Sequence, residues 1–311
     1  MPGVAGVPAC ASRQSAGQPT GTEIDMSLIQ LALDNPRYAV MFAGLPLLIA
    51  AEAAVPLLEG EGRWRHTAKN LAIGVIYVAT TAVLGLGIVW LLHATERHQW
   101  GLFPHLGLPL WLQVVLGVIA LDFGDYWRHR ADHTFRLLWR FHRLHHSDPL
   151  MEASTTIRNH PGAAFPILAP RAILIPLLGL PPLALMIHAP LALAGQLYHH
   201  SNLRLPARLE RVLGAVIVTP SHHFAHHAKI RKYSDSQFGV LLILWDKLFG
   251  TLEVAPDRKT TPLGVRGYDD AASQTLGGML LSMFERKPAG AVAGNAALAP
   301  VAVEGVARGE G

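Results

Sequence analysis

Leu71 to Leu92 reads LAIGVIYVATTAVLGLGIVWLL, a run of apolar and small residues without a single charge. About 20 such residues in an α-helix cover the roughly 30 Å hydrocarbon core of a bilayer. In lipid, backbone polar groups find partners only inside the segment itself, so the run predicts a membrane-spanning helix. Upstream, Tyr38 to Leu58 is apolar except for Glu52 and is long enough to span as well. Downstream, Gly101 to Leu121 is uncharged, with Pro104 and Pro109 confining its helix to the later part. Ala163 to Tyr198 is longer still, with Arg171 its only formal charge. Pro176, Pro181, Pro182 and Pro190 interrupt this block, and a Pro-Pro pair breaks a continuous helix. It reads as a helical hairpin turning near Pro181-Pro182, partly or fully through the membrane.

Composition agrees with these segments. Of 311 residues half are apolar and 15% charged, against roughly a quarter charged in ordinary soluble chains. Mean hydropathy is +0.28. A disordered chain, poor in apolar residues, is excluded. So is a disulfide-stapled domain, because Cys10 is the only cysteine. One thiol also excludes a CxxC zinc site or a cysteine-held iron–sulfur cluster within this sequence. The net charge of +4 is mildly basic, yet no aromatic-interleaved basic stripe points to nucleic acid.

Loop charge sets the expected topology. Residues 59–70 carry Arg63, Arg65 and Lys69, whereas 93–105 carry only Arg97; after the third span come Arg128, Arg130, Arg136, Arg140 and Arg143. The positive-inside rule places 59–70 and everything beyond Leu121 in the cytoplasm, in an inner or plasma membrane. The fold expected is all-α and polytopic: about three spanning helices, the proline-broken hairpin, and a cytoplasmic helical cap. Residues 1–25 and 287–311 lack pattern and read as disordered, leaving 26–286 as one membrane-embedded domain, with Met26 a possible true start. Residues 1–25 lack the basic start and apolar run of a signal peptide.

Seventeen histidines nearly equal the acidic residues in number, and thirteen fall between His129 and His227. His66, His93, His98 and His105 sit at segment edges, where an interfacial imidazole is unremarkable. Within the dense window, His129 and His133 are four apart and share a helix face. His142, His145 and His146 form an H-x-x-H-H set, and His223, His226 and His227 repeat it. One such pair is weak evidence of a metal site, whereas three groups within a hundred residues point to one. A single ion takes four to six donors, so eight or more imidazoles imply two ions, with the metal left open by ligand type. Neither H-E-x-x-H nor a recurring Glu-x-x-His pattern is present. His160, His188, His199 and His222 read equally well as structural residues.

Several side chains are placed to support the ligands. Asp125, one turn before His129, is positioned to accept its non-ligating N–H, with Asp122 and Tyr126 as alternatives. Asp246 is positioned to reach the third cluster from a later helix. Asp148 and Arg158 flank the second cluster, where a salt bridge is the plainer reading.

The strings that carry these residues resemble the fatty acid hydroxylase superfamily, which includes sterol desaturases and sterol hydroxylases. They are Asp125-Tyr126-Trp127-Arg128-His129-Arg130 with His133; Leu138 to Ser147; Arg158-Asn159-His160-Pro161; His200-Ser201-Asn202; Thr219 to His227; and Trp245 to Thr251. The resemblance covers about residues 40–255. It implies a membrane di-iron oxygenase that uses O2 and reducing equivalents to hydroxylate or desaturate a lipid C–H position. It makes His129, His133, His142, His145, His146, His223, His226 and His227 ligands, with His200 a ninth. Where some relatives carry a tenth histidine this chain has Gln196; His199 is near but about a hundred degrees away on a helix. Asp235-Ser236-Gln237-Phe238-Gly239 also departs from the family's Asn-Tyr-Gly wording.

The sequence has no haem motif, flavin fingerprint or iron–sulfur cysteine set. A separate ferredoxin or cytochrome with its reductase is therefore the implied electron donor, and Arg136, Arg140 and Arg143 are candidates for its basic docking surface. Zinc can displace iron from imidazole sites. The competing reading is a histidine-rich membrane protein that stores or transports metal. Transport favours ionisable residues along the spans, where only Glu52 and Arg171 occur.

Overall fold

A computed structural model describes residues 36–60 and 62–285. Cys10, Met26, the two ends expected to be disordered and both boundaries of the 26–286 domain lie outside the described residues. Within them the chain is helical; no strand forms, only three isolated bridges.

Helix α1 (Pro36–Ala54) passes through a π-helical turn at Val40–Gly44. It stops short of the expected Leu58 because Pro56 forces Val55 out of the helical region (φ −137°, ψ 60°). Helix α2 (Arg63–His98) contains the uncharged run and extends it at both ends, closing on the left-handed Gln99. The short α3 (Leu102–Leu106) precedes α4 (Leu110–Thr134). The expected third span, Gly101 to Leu121, is thus divided between two helices, and α4 continues far beyond Leu121. Pro109 starts α4 in an extended conformation, and no proline follows to stop it before Phe135. The charged residues that suggested a membrane exit are instead absorbed: Arg128 reaches Asp132 at 2.5 Å one turn on, and Asp125 takes Arg171 from another helix.

Next come α5 (Arg136–His146), two 3-10 turns (Ala153–Ile157 and Pro161–Ala163), then α6 (Ala164–Leu178) and α7 (Pro182–His200). These last two are the predicted hairpin, turning at Gly179 to Pro181, next to the Pro-Pro pair. Their 15 and 19 residues make arms of about 22 and 28 Å at 1.5 Å per residue. Gly179 (φ 71°) and Gly101 (φ 97°) lie in close contact at this turn: a Cβ on Gly101 would sit 2.0 Å from the Gly179 nitrogen. Only glycine fits either position. The remaining helices are short: α8 (Ala207–Leu213), α9 (Pro220–His227), α10 (Arg231–Ser234), α11 (Leu244–Leu248) and α12 (Leu276–Leu281).

Four helical stretches among the described residues are long and apolar enough to cross a membrane: Pro36–Ala54, Arg63–Leu106, Leu110–Thr134 and Pro161–Leu178. Helix α6 packs on α2 and α4, while α7 packs on α4 and on the first turns of α1. Leu92, Phe103, Leu121, Ile175 and Leu180 fill the core near the hairpin turn. Outward-facing Val75, Val83, Trp90, Trp111, Ile173 and Leu177 are exposed, as a lipid-facing surface requires.

The end opposite the hairpin turn is polar and tightly cross-linked. Glu52, fully buried, accepts from Arg63 Nη2 (2.8 Å), Ala153 N (2.8 Å) and Asn202 N (2.7 Å). It thereby joins α1, α2, the first 3-10 turn and the segment after α7. Asp148 pairs with His66 at 2.8 Å and accepts from Asn70 and Thr155. The expected Asp148–Arg158 salt bridge does not form. Arg158 donates to Asn70 Oδ1, Ser147 Oγ, the Leu144 carbonyl and Gln274 Oε1, so Asn70 links the two charges.

Candidate metal centre

Helix spacing brings the histidines together in two groups at this polar end. His129 and His133 from α4, His142 and His146 from α5, and His226 from α9 form one group. His145 from α5, His200 from α7, and His223 and His227 from α9 form the other. Within each, one nitrogen per residue lies within 4.8 Å of the rest. Each H-x-x-H-H set divides in the same way: the residues four apart share a group and the middle one crosses over.

The nitrogens converge closely. Nε2–Nε2 separations are 3.1 Å for His129–His142, 3.0 Å for His142–His146, 3.1 Å for His133–His146 and 2.9 Å for His129–His226. In the second group they are 3.1 Å for His145–His200, 3.0 Å for His200–His223 and 3.2 Å for His223–His227. An ion with bonds of about 2.1 Å to two imidazoles at right angles keeps the nitrogens about 3.0 Å apart.

Hydrogen bonds on the outer nitrogens strengthen this fit. His129 Nδ1 lies 3.0 Å from the Phe238 carbonyl and His226 Nδ1 lies 2.6 Å from the Ser236 carbonyl. A carbonyl only accepts, so both Nδ1 atoms carry the proton and both Nε2 atoms present lone pairs. Those lone pairs face each other at 2.9 Å and cannot bond one another; a cation between them resolves the contact. An added proton is disfavoured, because burial and then the neighbouring imidazoles hold His142, His145, His146, His223, His226 and His227 well below the ordinary histidine value. The residues present fit a pair of metal ions.

The supporting residues differ from expectation. Asp125 does not orient His129: its carboxylate receives Arg171 in two arms, at 2.6 and 2.8 Å, and the Phe238 carbonyl takes the role. Asp246 does not touch the third cluster. It accepts from Phe238 N, Gly239 N and Thr251 Oγ1, and so holds the loop whose carbonyls orient His129 and His226. Asp122 accepts from the Trp245 indole at 2.8 Å, and Tyr126 OH lies 3.0 Å from Thr251 Oγ1. His160 and His222 remain outside both groups and cap local turns, through Gly162 N and Thr219 respectively. His199 is buried with its ring 4.0 Å from that of His223, yet it belongs to neither group. Gln196 supports His200 through its backbone carbonyl, 2.7 Å from Nδ1. The carbonyls of Ser236 and Phe238 carry no side-chain signature, and sequence reasoning missed them.

Residues 114–251 match the family model for fatty acid hydroxylases. That region resembles the fatty acid hydroxylase family. It contains every histidine of the two groups. The chain is 35% identical over 161 residues to ornithine lipid hydroxylase OlsE of Rhizobium tropici, covering 51% of this chain and 47% of that protein. It is 33% identical over 178 residues to alkylglycerol monooxygenase of Danio rerio (53% and 37%), and 34% over 150 residues to that of Homo sapiens (48% and 32%). The matches therefore span half or less of these relatives' lengths. No solved structure matches the chain.

Proposed function

We propose that this chain is an integral membrane oxygenase that hydroxylates a C–H position of a membrane lipid with O2. Two irons occupy the centre: His129, His133, His142, His146 and His226 hold one, and His145, His200, His223 and His227 hold the other. The observation that carries this reading is the pair of lone pairs on His129 and His226 turned toward each other at 2.9 Å. The relatives' names, a lipid hydroxylase and a monooxygenase, support hydroxylation over desaturation. A storage or transport role is disfavoured, because Glu52 and Arg171 are both engaged in ion pairs within the fold.

Bound iron supplies the activation of O2, and the balanced reaction is RH + O2 + 2e− + 2H+ → ROH + H2O. The protein's share is positional. Ser236 and Phe238 fix the proton at Nδ1 of two ligands, which raises the basicity of the other nitrogen. The Phe238 ring lies 5.8, 5.3 and 5.6 Å from the rings of His129, His133 and His226 and excludes water from that side. Electrons come from a separate ferredoxin or cytochrome with its reductase. Arg136 and Arg140 stay on the docking surface. Arg143 leaves it, being buried over Tyr268 with its guanidinium 4.0 Å from the ring centroid and donating to the Ser282 carbonyl. Arg63, Arg65, Lys69, Arg136 and Arg140 lie at the histidine end, which supports a cytoplasmic orientation.

The test is reconstitution in lipid nanodiscs with iron, a ferredoxin and its reductase, extracted bacterial lipids and 18O2, read by mass spectrometry. Wild type should incorporate one labelled oxygen into a lipid, and His226→Ala should lose both iron and product. An iron-loaded wild type that labels no lipid, or a His226→Ala variant with full iron content, would overturn the reading.

A further inference from the structure

Residues 139, 142 and 146 of α5 are three and four apart and share one face of the helix. His142 and His146 on that face belong to the first histidine group, and Trp139 carries the face one turn further toward the start of the helix. The indole lies 5.0, 5.5 and 6.3 Å, between ring centroids, from His133, His146 and His142, three of the five ligands in that group. Phe238, which also meets these histidines, is 4% exposed, whereas Trp139 is only half-buried. Burial is uneven across the two groups as well. Of the nine ligands, His133 alone is partly exposed, and its Nδ1 stands 3.8 Å from Asp235 Oδ1, a carboxylate at the surface. All four ligands of the second group are buried. The centre therefore comes nearest to solvent at His133, the ring that Trp139 packs against most closely.

The surface beside Trp139 has the make-up of a protein-binding site. Phe135 and Leu137 are exposed at the start of α5, and Arg136 and Arg140 flank them. Neither arginine makes an ion pair among the described residues, whereas Arg128, Arg171 and Arg231 each hold an aspartate. Apolar side chains rimmed by arginine are typical of interfaces between proteins. Uncompensated positive charge on the rim favours an acidic partner and speeds its approach. Electron tunnelling falls off steeply with distance, and a conjugated ring packed against the ligands shortens the gap between a docked carrier and the centre.

We propose that Trp139 is the electron inlet of the centre: an acidic one-electron carrier protein docks on Phe135, Arg136, Leu137 and Arg140, and its electron passes through the indole to the first histidine group. Each encounter oxidises the carrier by one electron and reduces one ferric ion to ferrous. No bond is made or broken at Trp139, and two encounters supply the two electrons of the hydroxylation. The second group, buried throughout, receives its electron by way of the first. This assignment rests on the oxygenase reading, which requires an outside donor, but docking and reduction are measurable without any lipid.

The test uses the full-length, iron-loaded chain in nanodiscs and an acidic ferredoxin. Binding of oxidised ferredoxin is measured by calorimetry, anaerobic reduction of the ferric centre by stopped flow, and iron content by elemental analysis. Sodium dithionite, a small reductant that needs no docking, is the control. Ferredoxin binding by wild type should weaken as salt rises, and Arg136→Glu with Arg140→Glu should weaken it at least tenfold with iron retained. Trp139→Leu should keep its iron and its rate with dithionite, yet be reduced at least tenfold more slowly at saturating ferredoxin. Trp139→Phe, which keeps an aromatic ring, should fall between. A wild-type rate in Trp139→Leu, or equal slowing with dithionite, would overturn the inlet. Full ferredoxin binding by the double arginine variant would give that face to the membrane surface and overturn the docking. If Trp139→Leu fails to hold iron, Trp139→Phe and the arginine variant decide. Reduction that follows the expected pattern without any labelled lipid would sink the oxygenase reading and leave the inlet standing.

Discussion

Replacing Asp246 with asparagine keeps the shape of a buried side chain while removing one acceptor from a loop that the metal centre depends on. Oδ1 accepts from Phe238 N at 2.8 Å and Thr251 Oγ1 at 2.6 Å, and Oδ2 accepts from Gly239 N at 2.8 Å. In Asp246→Asn the amide oxygen can keep the first two, and the NH2 then faces the Gly239 N–H, donor against donor. That unpaired buried donor costs about 1–3 kcal/mol. The loop also holds Gln237 at φ 56°, a strained conformation for a residue with a side chain, so it has little reserve against losing a tether. Its carbonyls at Ser236 and Phe238 orient His226 and His129. Loss of such orientation typically lowers metal affinity 10- to 100-fold, about 1.4–2.8 kcal/mol, which matches the hydrogen-bond deficit. Iron retention against graded chelator, followed by elemental analysis beside thermal melts, measures both effects. An Asp246→Asn protein that melts earlier but holds iron as tightly as wild type would refute the link from Asp246 through the loop to the ligands.

Two further outcomes are expected. In chelator-treated protein, His145, His146, His223, His226 and His227 are held below their ordinary value of 6.5 by burial and then neighbouring charges. The unfolded chain therefore binds more protons as the pH falls below that value, and stability drops; melting at pH 5.5 should precede melting at pH 7.5, and the opposite order would contradict the buried neutral cluster. Glu52→Leu should destabilise the protein by about 2–5 kcal/mol, since it strands the buried Ala153 and Asn202 backbone donors and leaves Arg63 with Glu152 as its one carboxylate partner; a loss under about 1 kcal/mol in thermal unfolding would show that the hub is dispensable.

The spanning helices were legible because lipid imposes a long uncharged run, as in Leu71 to Leu92. The end of α4 was not, because Asp122, Asp125 and Arg128 look like a membrane exit until their partners are known. Arg171 lies 46 residues from Asp125, and only packing of α6 on α4 brings them together. The histidine groupings were partly legible: residues four apart share a helix face, so His142 with His146 and His223 with His227 follow from spacing. That His145 joins His223 and His227, and that His226 joins the α4 pair, depends on how α5 and α9 face each other. His200 came from the resemblance alone, and its place in the second group depends on the hairpin returning to the same end. The Ser236 and Phe238 carbonyls are backbone atoms, which any residue supplies, and no sequence pattern announces them.

Helices α5 and α9 each contribute to both histidine groups, while α4 serves only one and α7 only the other. The distance between the pockets is consequently a gauge length set by rigid helical rise and rotation, indifferent to changes in the loops. The unshared helices are the adjustable jaws. Pressure applied to α4 alters the outline of one pocket and pressure on α7 that of its neighbour, without changing the spacing between them.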